Sequence, residues 1–199
     1  MKKIFIINGM AGSGKDTFVS FLNEIIPTKH ISIVDKVKET AKMLGWNGEK
    51  TEKDRKFLSD IKLATDKYDD RNYEYIKEQV KDFLEDKTGK YEVLCIDMRE
   101  KHQILQAIKD FGATSVLVYR NNVKNIMSNP ADANVFNMKY DIVVRNNGTL
   151  EEFKERTKEF ADKYVIERKF KTKQEAYEQG LKDARAKNMI DFFMEFFGL

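Results

Sequence analysis

The chain contains very little cysteine or proline, and it has no long apolar run. Its 199 residues include one cysteine, Cys95, which cannot form an internal disulfide bond, and only two prolines. No apolar stretch approaches the roughly 18 residues that a membrane-spanning helix needs. We therefore expect a protein without internal disulfide bonds and without a membrane span.

The charges also lack a bias towards one sign. The 36 lysines and arginines and the 33 aspartates and glutamates are interleaved along the chain and leave a formal net charge of +3. This interleaving argues against a concentrated basic face, and hence against nucleic acid as a partner. The length suits one ordinary domain, or one domain with an appendage, and we expect a globular cytoplasmic protein.

The first residues predict a strand, a glycine-rich turn and a helix. Residues 1–10 could pass for the start of a secretion signal, but the glycines and Lys15 that follow replace the expected cleavage site. The apolar run at residues 4–7 indicates a strand that is buried on both faces of a parallel sheet. Apolar residues then recur at helical spacing from Phe18 to Ile26, and Pro27 ends this helix.

Strands and helices alternate along the next part of the chain. Short apolar runs predict strands at residues 31–34, 93–96, 116–119 and 142–144. One helix follows the capping sequence at residues 51–54 and carries an apolar stripe from Phe57 to Tyr68. Another begins at the capping box of Thr149 and Glu152. The alternation predicts an α/β protein whose mostly parallel sheet is covered by helices on both faces.

The clearest functional signal is the sequence Gly9-Met10-Ala11-Gly12-Ser13-Gly14-Lys15-Asp16-Thr17, which matches G-x-x-x-x-G-K between a strand and a helix. Glycines let the backbone turn with positive φ, so that successive N–H groups and the helix N-terminus surround a phosphate. Lys15 would reach the outer phosphates. We predict that a nucleotide, ATP or GTP, binds to Gly9, Ala11, Gly12, Ser13, Gly14, Lys15, Asp16 and Thr17.

The loop departs from the common pattern at one position. Asp16 follows Lys15 where a hydroxyl is usual, and the hydroxyl comes one place later, at Thr17. In the usual loop this hydroxyl binds Mg²⁺ directly. We expect Thr17 to be near the metal here, with water as an alternative link between them.

Charged residues follow the later predicted strands. Asp97 ends an apolar strand, where it could hold the metal at the carboxyl end of a parallel sheet or simply favour a turn. Arg99 could bind a phosphate or pair with a surface acid. Asp35 could orient the acceptor group or cap the next helix. Lys38 follows on the same edge.

Two further arginines are candidate ligands for phosphate. Arg55 lies in a highly charged helix, so a solvated face is its alternative role. Arg120 directly follows a predicted strand and is a candidate for a lid that closes over the phosphates. His30, His102 and Cys95 have no partners at the spacing of a metal site, and we assign them structural roles.

Together these motifs resemble those of the phage-type deoxynucleoside monophosphate kinases and their relatives, which include the animal phosphomevalonate kinases. The resemblance covers roughly residues 1–164. It rests on four segments: residues 14–17, residues 35–38 with 44–46, residues 96–100, and residues 140–141 with 146–149.

The resemblance implies a three-layer P-loop NTPase fold, with a five-stranded parallel sheet whose central strand leads into the phosphate loop. It implies a kinase domain at residues 1–165, with a mobile acceptor region at about 36–90 and a lid at about 120–134. Asn146 and Gly148 would lie near the donor base, while Asp97 and Arg99 would face the metal and the phosphates.

We therefore expect a kinase that transfers the γ-phosphoryl group of ATP, with Mg²⁺, to a nucleoside or deoxynucleoside monophosphate. The candidate catalytic residues are Lys15, Asp35, Asp97, Arg99 and Arg120, and the candidate acceptor-binding residues are Asp35, Lys38, Arg55 and Arg99. The alternatives are another phosphometabolite kinase and a nucleotide-dependent switch. Residues 166–199 are expected to form a helical extension whose aromatic residues pack on the domain or on a second copy of the chain.

Overall fold

The computed structural model describes residues 2–121 and 135–166 of the chain. Within them lie five strands, β1 Lys3–Asn8, β2 Thr28–Ser32, β3 Val93–Asp97, β4 Thr114–Tyr119 and β5 Ile142–Arg145. The helices are α1 Lys15–Ile25, α2 Asp35–Met43, α3 Glu52–Asp69, α4 Arg71–Glu85, α5 Lys101–Phe111 and α6 Leu150–Tyr164. The chain divides into two compact units, Met1–Ala161 and Asp162–Leu199, and the sheet belongs to the first.

All five strands run parallel in the order β2-β3-β1-β4-β5. The predicted α/β class, and the central place of the strand that precedes the phosphate loop, are therefore confirmed. Asp97, the last residue of β3, lies opposite Ile7 of β1 and Ser32 of β2. Because the strands are parallel, their carboxyl ends meet at one edge of the sheet, which is where ligands bind in open α/β folds.

Helices cover both faces of the sheet because the side chains of β1 alternate between them. Ile4 and Ile6 join a buried cluster that includes Ile76 of α4 and Ile104 of α5. On the opposite face, the ring of Phe5 lies 5.0 Å from that of Phe160 in α6. The Phe160 ring also lies 5.0 Å from the ring of Phe18 in α1, which is fully buried. The result is the three-layer arrangement that the sequence predicts.

Both predicted capping boxes are present. The Thr51 hydroxyl accepts a hydrogen bond of 3.2 Å from the Asp54 amide, and the Asp54 carboxylate accepts one of 3.0 Å from the Thr51 amide. At the start of α6, the Thr149 hydroxyl and the Glu152 carboxylate make the same reciprocal bonds, at 3.2 and 2.7 Å. Each pair satisfies amides that a helix leaves without intrahelical partners.

Two sequence expectations need correction. The second strand runs from Thr28 to Ser32 instead of from residue 31 to 34, because its backbone pairs with β3 from Thr28 onwards, across polar residues that an apolar-run criterion misses. The stripe of α3 is not a core face, since α3 has no buried residue and Tyr68 is 81% exposed. The reason is that α3 packs mainly on the helices α2 and α4.

Some expectations fall outside the described residues. These are most of the lid, at residues 122–134, and the extension at 167–199 with its aromatic residues and its proposed self-association. In the part of the chain that the structure describes, no helix has the length and apolar character needed to cross a membrane.

Candidate functional site

The loop between β1 and α1 adopts a glycine-dependent backbone. Gly9, Gly12 and Gly14 have φ values of 153°, 78° and 97°, a region that residues with a Cβ rarely enter. At Gly14 there is also no room for a side chain, since a Cβ there would lie 2.5 Å from Asn146 Nδ2. The loop conformation therefore depends on the glycines at these positions, as the motif predicts.

This backbone brings the N-terminus of α1 to the carboxyl edge of the sheet. Gly14 is the N-cap of α1, and no side chain caps the helix. The first amides of a helix have no intrahelical acceptor, and the helix dipole adds partial positive charge there. Such a terminus suits a phosphate group.

A buried hydroxyl in the loop is also consistent with phosphate binding. The Oγ of Ser13 is inaccessible to solvent and makes no hydrogen bond to any described residue. A buried hydroxyl without a partner costs about 1–3 kcal/mol. A phosphate oxygen that reached the loop would supply the missing partner.

Lys15 lies across its own loop. Its Nζ donates hydrogen bonds of 2.8 Å to the Gly9 carbonyl and 3.2 Å to the Met10 carbonyl. The ammonium group is thereby held over the concave side of the turn, where a phosphate chain would neutralise it. Its role as the cation of the phosphate loop remains a prediction.

A cavity of about 390 Å³ opens beside the helix terminus. It brings together most of the residues that the sequence assigns to the nucleotide, together with two apolar residues of α6. The lining residues are Gly12, Gly14, Lys15, Asp16, Thr17, Arg120, Asn146, Gly148, Leu150 and Phe153. The lining combines polar groups of the loop with apolar groups of α6. This combination suits a nucleotide, because its phosphates are charged and the faces of its base are apolar.

Asn146, which lines this cavity, joins the phosphate loop to the end of β4. Its backbone amide donates 2.7 Å to the Tyr119 carbonyl at the end of β4, and its Nδ2 donates 2.9 Å to the Ser13 carbonyl in the loop. The Asn146 side chain is buried and supports the loop through this bond, and it also lines the cavity. A direct contact between Asn146 and a donor base stays a prediction.

A second strut, not predicted from the sequence, holds the start of the loop. The Asn8 carboxamide accepts a hydrogen bond of 2.8 Å from the Gly9 amide and donates one of 2.7 Å to the Tyr140 hydroxyl. That hydroxyl in turn donates 2.7 Å to the Val135 carbonyl. Burial raises the pKa of Tyr140 to about 12, despite the opposing effect of Asn8, so the hydroxyl stays protonated and remains a donor at neutral pH.

Asp97 contacts His30 at the carboxyl end of β3. One oxygen, Oδ1, is buried and lies 3.2 Å from His30 Nε2, although the contact lacks hydrogen-bond geometry. Burial by itself lowers the pKa of His30, but Asp97, with smaller contributions from Asp16 and Asp35, outweighs it and raises that pKa. A buried carboxylate oxygen without a hydrogen bond fits the prediction that Asp97 faces a cation. The contact with Asp97 could not be inferred from the spacing of His30 in the sequence, which assigned it a structural role.

The acceptor-side residues occupy several places. Asp35 is the first residue of α2 and is not its N-cap, which is Val34. Its carboxylate accepts 2.7 Å from the Ser32 amide and lies 3.2 Å from Lys38 Nζ, so it closes the turn that follows β2. Arg55 lies in the first turn of α3, where its Nε donates 3.2 Å to the Lys50 carbonyl. Arg55 is thus used locally, and it does not line the cavity.

The two remaining arginines lie at the carboxyl edge of the sheet. Arg99 follows β3, is half-buried, and its carbonyl lies 3.5 Å from Asn8 Nδ2. Arg120 follows β4, is exposed, and lines the cavity beside Asn146 and Gly148. Arg120 therefore lies beside the two residues that are expected near the donor base. It also lies at the start of the expected lid.

No protein-family model and no curated protein sequence matches the chain. Solved structures resemble the chain to different degrees. The crystal structure of TT1252 from Thermus thermophilus is 13% identical, with a TM-score of 0.50, and the match covers 83% of this chain and 99% of the other. Shikimate kinase from Aquifex aeolicus is 15% identical over 82% and 98% of the two chains, with a TM-score of 0.44. Thymidylate kinase from Ehrlichia chaffeensis is 14% identical over 81% and 87%, with a TM-score of 0.26.

At these identities the likenesses concern the fold. The parallel sheet, the order of its strands and the glycine loop after the central strand define a three-layer P-loop fold. The chain therefore has a three-layer α/β fold in which a phosphate loop follows the central strand.

Proposed function

We propose that the chain is a nucleotide-dependent kinase that transfers the γ-phosphoryl group of ATP, or of GTP, to a small phosphorylated acceptor, namely a nucleoside or deoxynucleoside monophosphate. The observation that carries the proposal is the uncapped N-terminus of α1 behind a glycine loop with positive φ values. An anion site of this kind is what phosphoryl transfer requires, since catalysis there is mostly positioning and charge stabilisation.

On the donor side, the roles follow from position. The loop amides and the Ser13 hydroxyl would bind the phosphates, and Lys15 would exchange its loop carbonyls for phosphate oxygens. The planar guanidinium of Arg120 is suited to stacking on a base or to pairing with a phosphate. Asn146 holds the loop in the receptive conformation through Ser13.

Bound Mg²⁺ would neutralise the charge that develops on the transferred group. Thr17 and Asp97 are the residues that would hold it, directly or through water. The buried Oδ1 of Asp97, which receives no hydrogen bond from any described residue, supports this assignment.

On the acceptor side, Asp35, Lys38 and Arg99 follow β2 and β3 at the same edge of the sheet as the loop. Lys38 and Arg99 would bind the acceptor phosphate, and Asp35 would orient the attacking oxygen. The acceptor region, about 36–90, corresponds to α2, α3 and α4. Of these, α3 buries no residue, which leaves its side chains available to contact a substrate. We place the reaction in the cytoplasm.

The first test is Lys15→Ala, which removes the cation of the loop. We expect phosphoryl transfer to fall by about 10²-fold or more, while the free energy of unfolding changes by no more than about 1 kcal/mol. Lys109→Ala is the matched control, since Lys109 is an exposed lysine in the last turn of α5. Transfer by the Lys15 variant at the rate of the control would contradict the assigned role.

The acceptor is tested with a coupled ADP-release assay on a panel of nucleoside monophosphates, deoxynucleoside monophosphates and other phosphorylated metabolites. Stimulation by one or more monophosphates is the expected result. Stimulation only by a different phosphometabolite would support the proposed kinase activity but would show that its acceptor is not a nucleoside monophosphate. Nucleotide binding without stimulation by any acceptor would instead favour a nucleotide-dependent switch.

A further inference from the structure

A compact cluster of potential metal ligands lies beside the phosphate loop. Asp16 in the first turn of α1, His30 in β2 and Asp97 at the end of β3 each place one ligand atom within 4.8 Å of the others. These residues are far apart in the sequence, and they come from three different elements. Only the folded sheet brings them together.

The strand register explains why they meet. His30 lies opposite Cys95 on the neighbouring parallel strand, and Asp97 follows Cys95 by two positions. Side chains two positions apart in a strand share a face, so His30 and Asp97 lie on the same face of the sheet. Cys95 in turn lies opposite Phe5, whose ring is on the face covered by α6 and α1. Asp16 projects from the start of α1, on that same side.

The charges of the cluster favour a cation, which is either a bound metal ion or the protonated form of His30. Two carboxylates that approach each other repel unless a positive charge lies between them. Among the described residues, Asp97 Oδ1 is buried without a hydrogen bond.

The distance between His30 and Asp97 also suits a metal ion. At metal–ligand bonds of about 2.1 Å, adjacent ligand atoms lie about 3 Å apart, and His30 Nε2 is 3.2 Å from Asp97 Oδ1. Asp16 stands directly after Lys15, where the common loop has a neutral hydroxyl, so this chain offers a charged oxygen ligand instead.

We propose that Asp16, His30 and Asp97 form a divalent-cation site that prefers first-row transition ions such as Mn²⁺ to Mg²⁺. The preference comes from His30, because an imidazole nitrogen strengthens the binding of transition ions, whereas Mg²⁺ favours oxygen ligands alone. The site shares Asp97 with the magnesium site of the proposed kinase, but it goes beyond that activity, since it binds the ion through protein groups and does not need a nucleotide.

The test is a titration of the full chain with Mn²⁺ alone, in which electron paramagnetic resonance measures the free ion. Removal of the ligand in His30→Ala is expected to weaken Mn²⁺ binding at least about tenfold and to make Mg²⁺ a much better competitor. Asp16→Asn, which alters an exposed residue, is expected to weaken Mn²⁺ binding as well. His102→Ala, at the only other histidine of the chain, is the matched control and should bind as the unaltered protein does.

Equal Mn²⁺ affinity in the unaltered protein, His30→Ala and Asp16→Asn would overturn the site and leave an ordinary ion pair. A thermal shift with ADP and Mg²⁺, compared with Mg²⁺ alone and measured on the same proteins, separates this result from failure of the kinase proposal. Stabilisation by ADP without a His30-dependent Mn²⁺ site would overturn the metal site alone. A His30-dependent site in a chain that ADP does not stabilise would overturn the kinase alone.

Discussion

Gly14 is the residue at which backbone conformation and packing constrain the loop together. Its φ of 97° disfavours any other residue, and a Cβ would lie 2.5 Å from Asn146 Nδ2. Since Asn146 would have to move, its bond to the Ser13 carbonyl would also be lost. We expect Gly14→Ala to lower the free energy of unfolding by about 2–4 kcal/mol and to weaken nucleotide binding, measured by chemical denaturation and by thermal shift.

Gly112→Ala is the control for this prediction. Gly112 also has a positive φ, of 61°, but a Cβ there would meet no atom within 4 Å. Only the backbone cost remains, about 1 kcal/mol, and nucleotide binding should not change. An equal loss of stability in the two variants would show that the contact with Asn146 contributes nothing.

Residues differ in how far their positions can be inferred from the sequence. Lys15 and the loop glycines can be placed because their motif is local and its strand and helix flank it directly. His30 cannot, because its contact with Asp97 arises from the register between β2 and β3. The strut from Asn8 to Tyr140 spans 132 residues for the same reason and has no local pattern.

At the scale of elements, α3 is the helix whose stability depends most on its own sequence. It buries no residue, whereas α5 buries Gln103, Ile104 and Ala107. Because little tertiary packing restrains it, α3 is expected to open at a lower free energy than α5. Native-state hydrogen exchange should therefore find faster amide exchange in α3, and protection equal to that of α5 would contradict this reading.

The capping box of α3 gives a sharper test of the same point. Thr51→Ala removes the hydroxyl to which the Asp54 amide donates a hydrogen bond, and this loss destabilises the helix by about 1 kcal/mol. We expect exchange to speed up throughout α3 and to remain unchanged in α5. Thr149→Ala removes the equivalent cap of α6, which buries Phe153, Thr157, Phe160 and Ala161, so there the effect should stay within the first turn.

At the scale of the whole molecule, the single cysteine reports on global unfolding. Cys95 is fully buried in β3 between two neighbouring strands, and burial, followed by the charge of Asp97, raises the pKa of its thiol. An aromatic disulfide reagent should therefore react only when the sheet opens. A nucleotide at about 100 times its Kd should slow labelling about 100-fold, because it stabilises the folded state by about 2.7 kcal/mol.

Ser59→Cys in the Cys95→Ala background provides the comparison, since Ser59 is exposed on α3. Its thiol should react quickly, and the nucleotide should not protect it. Rapid labelling of Cys95 in the folded protein, or labelling that no nucleotide slows, would show that the thiol does not report on opening of a nucleotide-stabilised sheet.

The sequence by itself determined the α/β class, the first strand with the glycine loop that follows it, and both capping boxes. Each of these depends on residues that are near neighbours in the chain, so periodicity and turn chemistry are enough to find them. Only the tertiary structure decided the limits of β2, the exposure of α3 and the meeting of Asp16, His30 and Asp97. These features depend on which strands pair and in which register, and residues far apart in the chain determine that choice jointly.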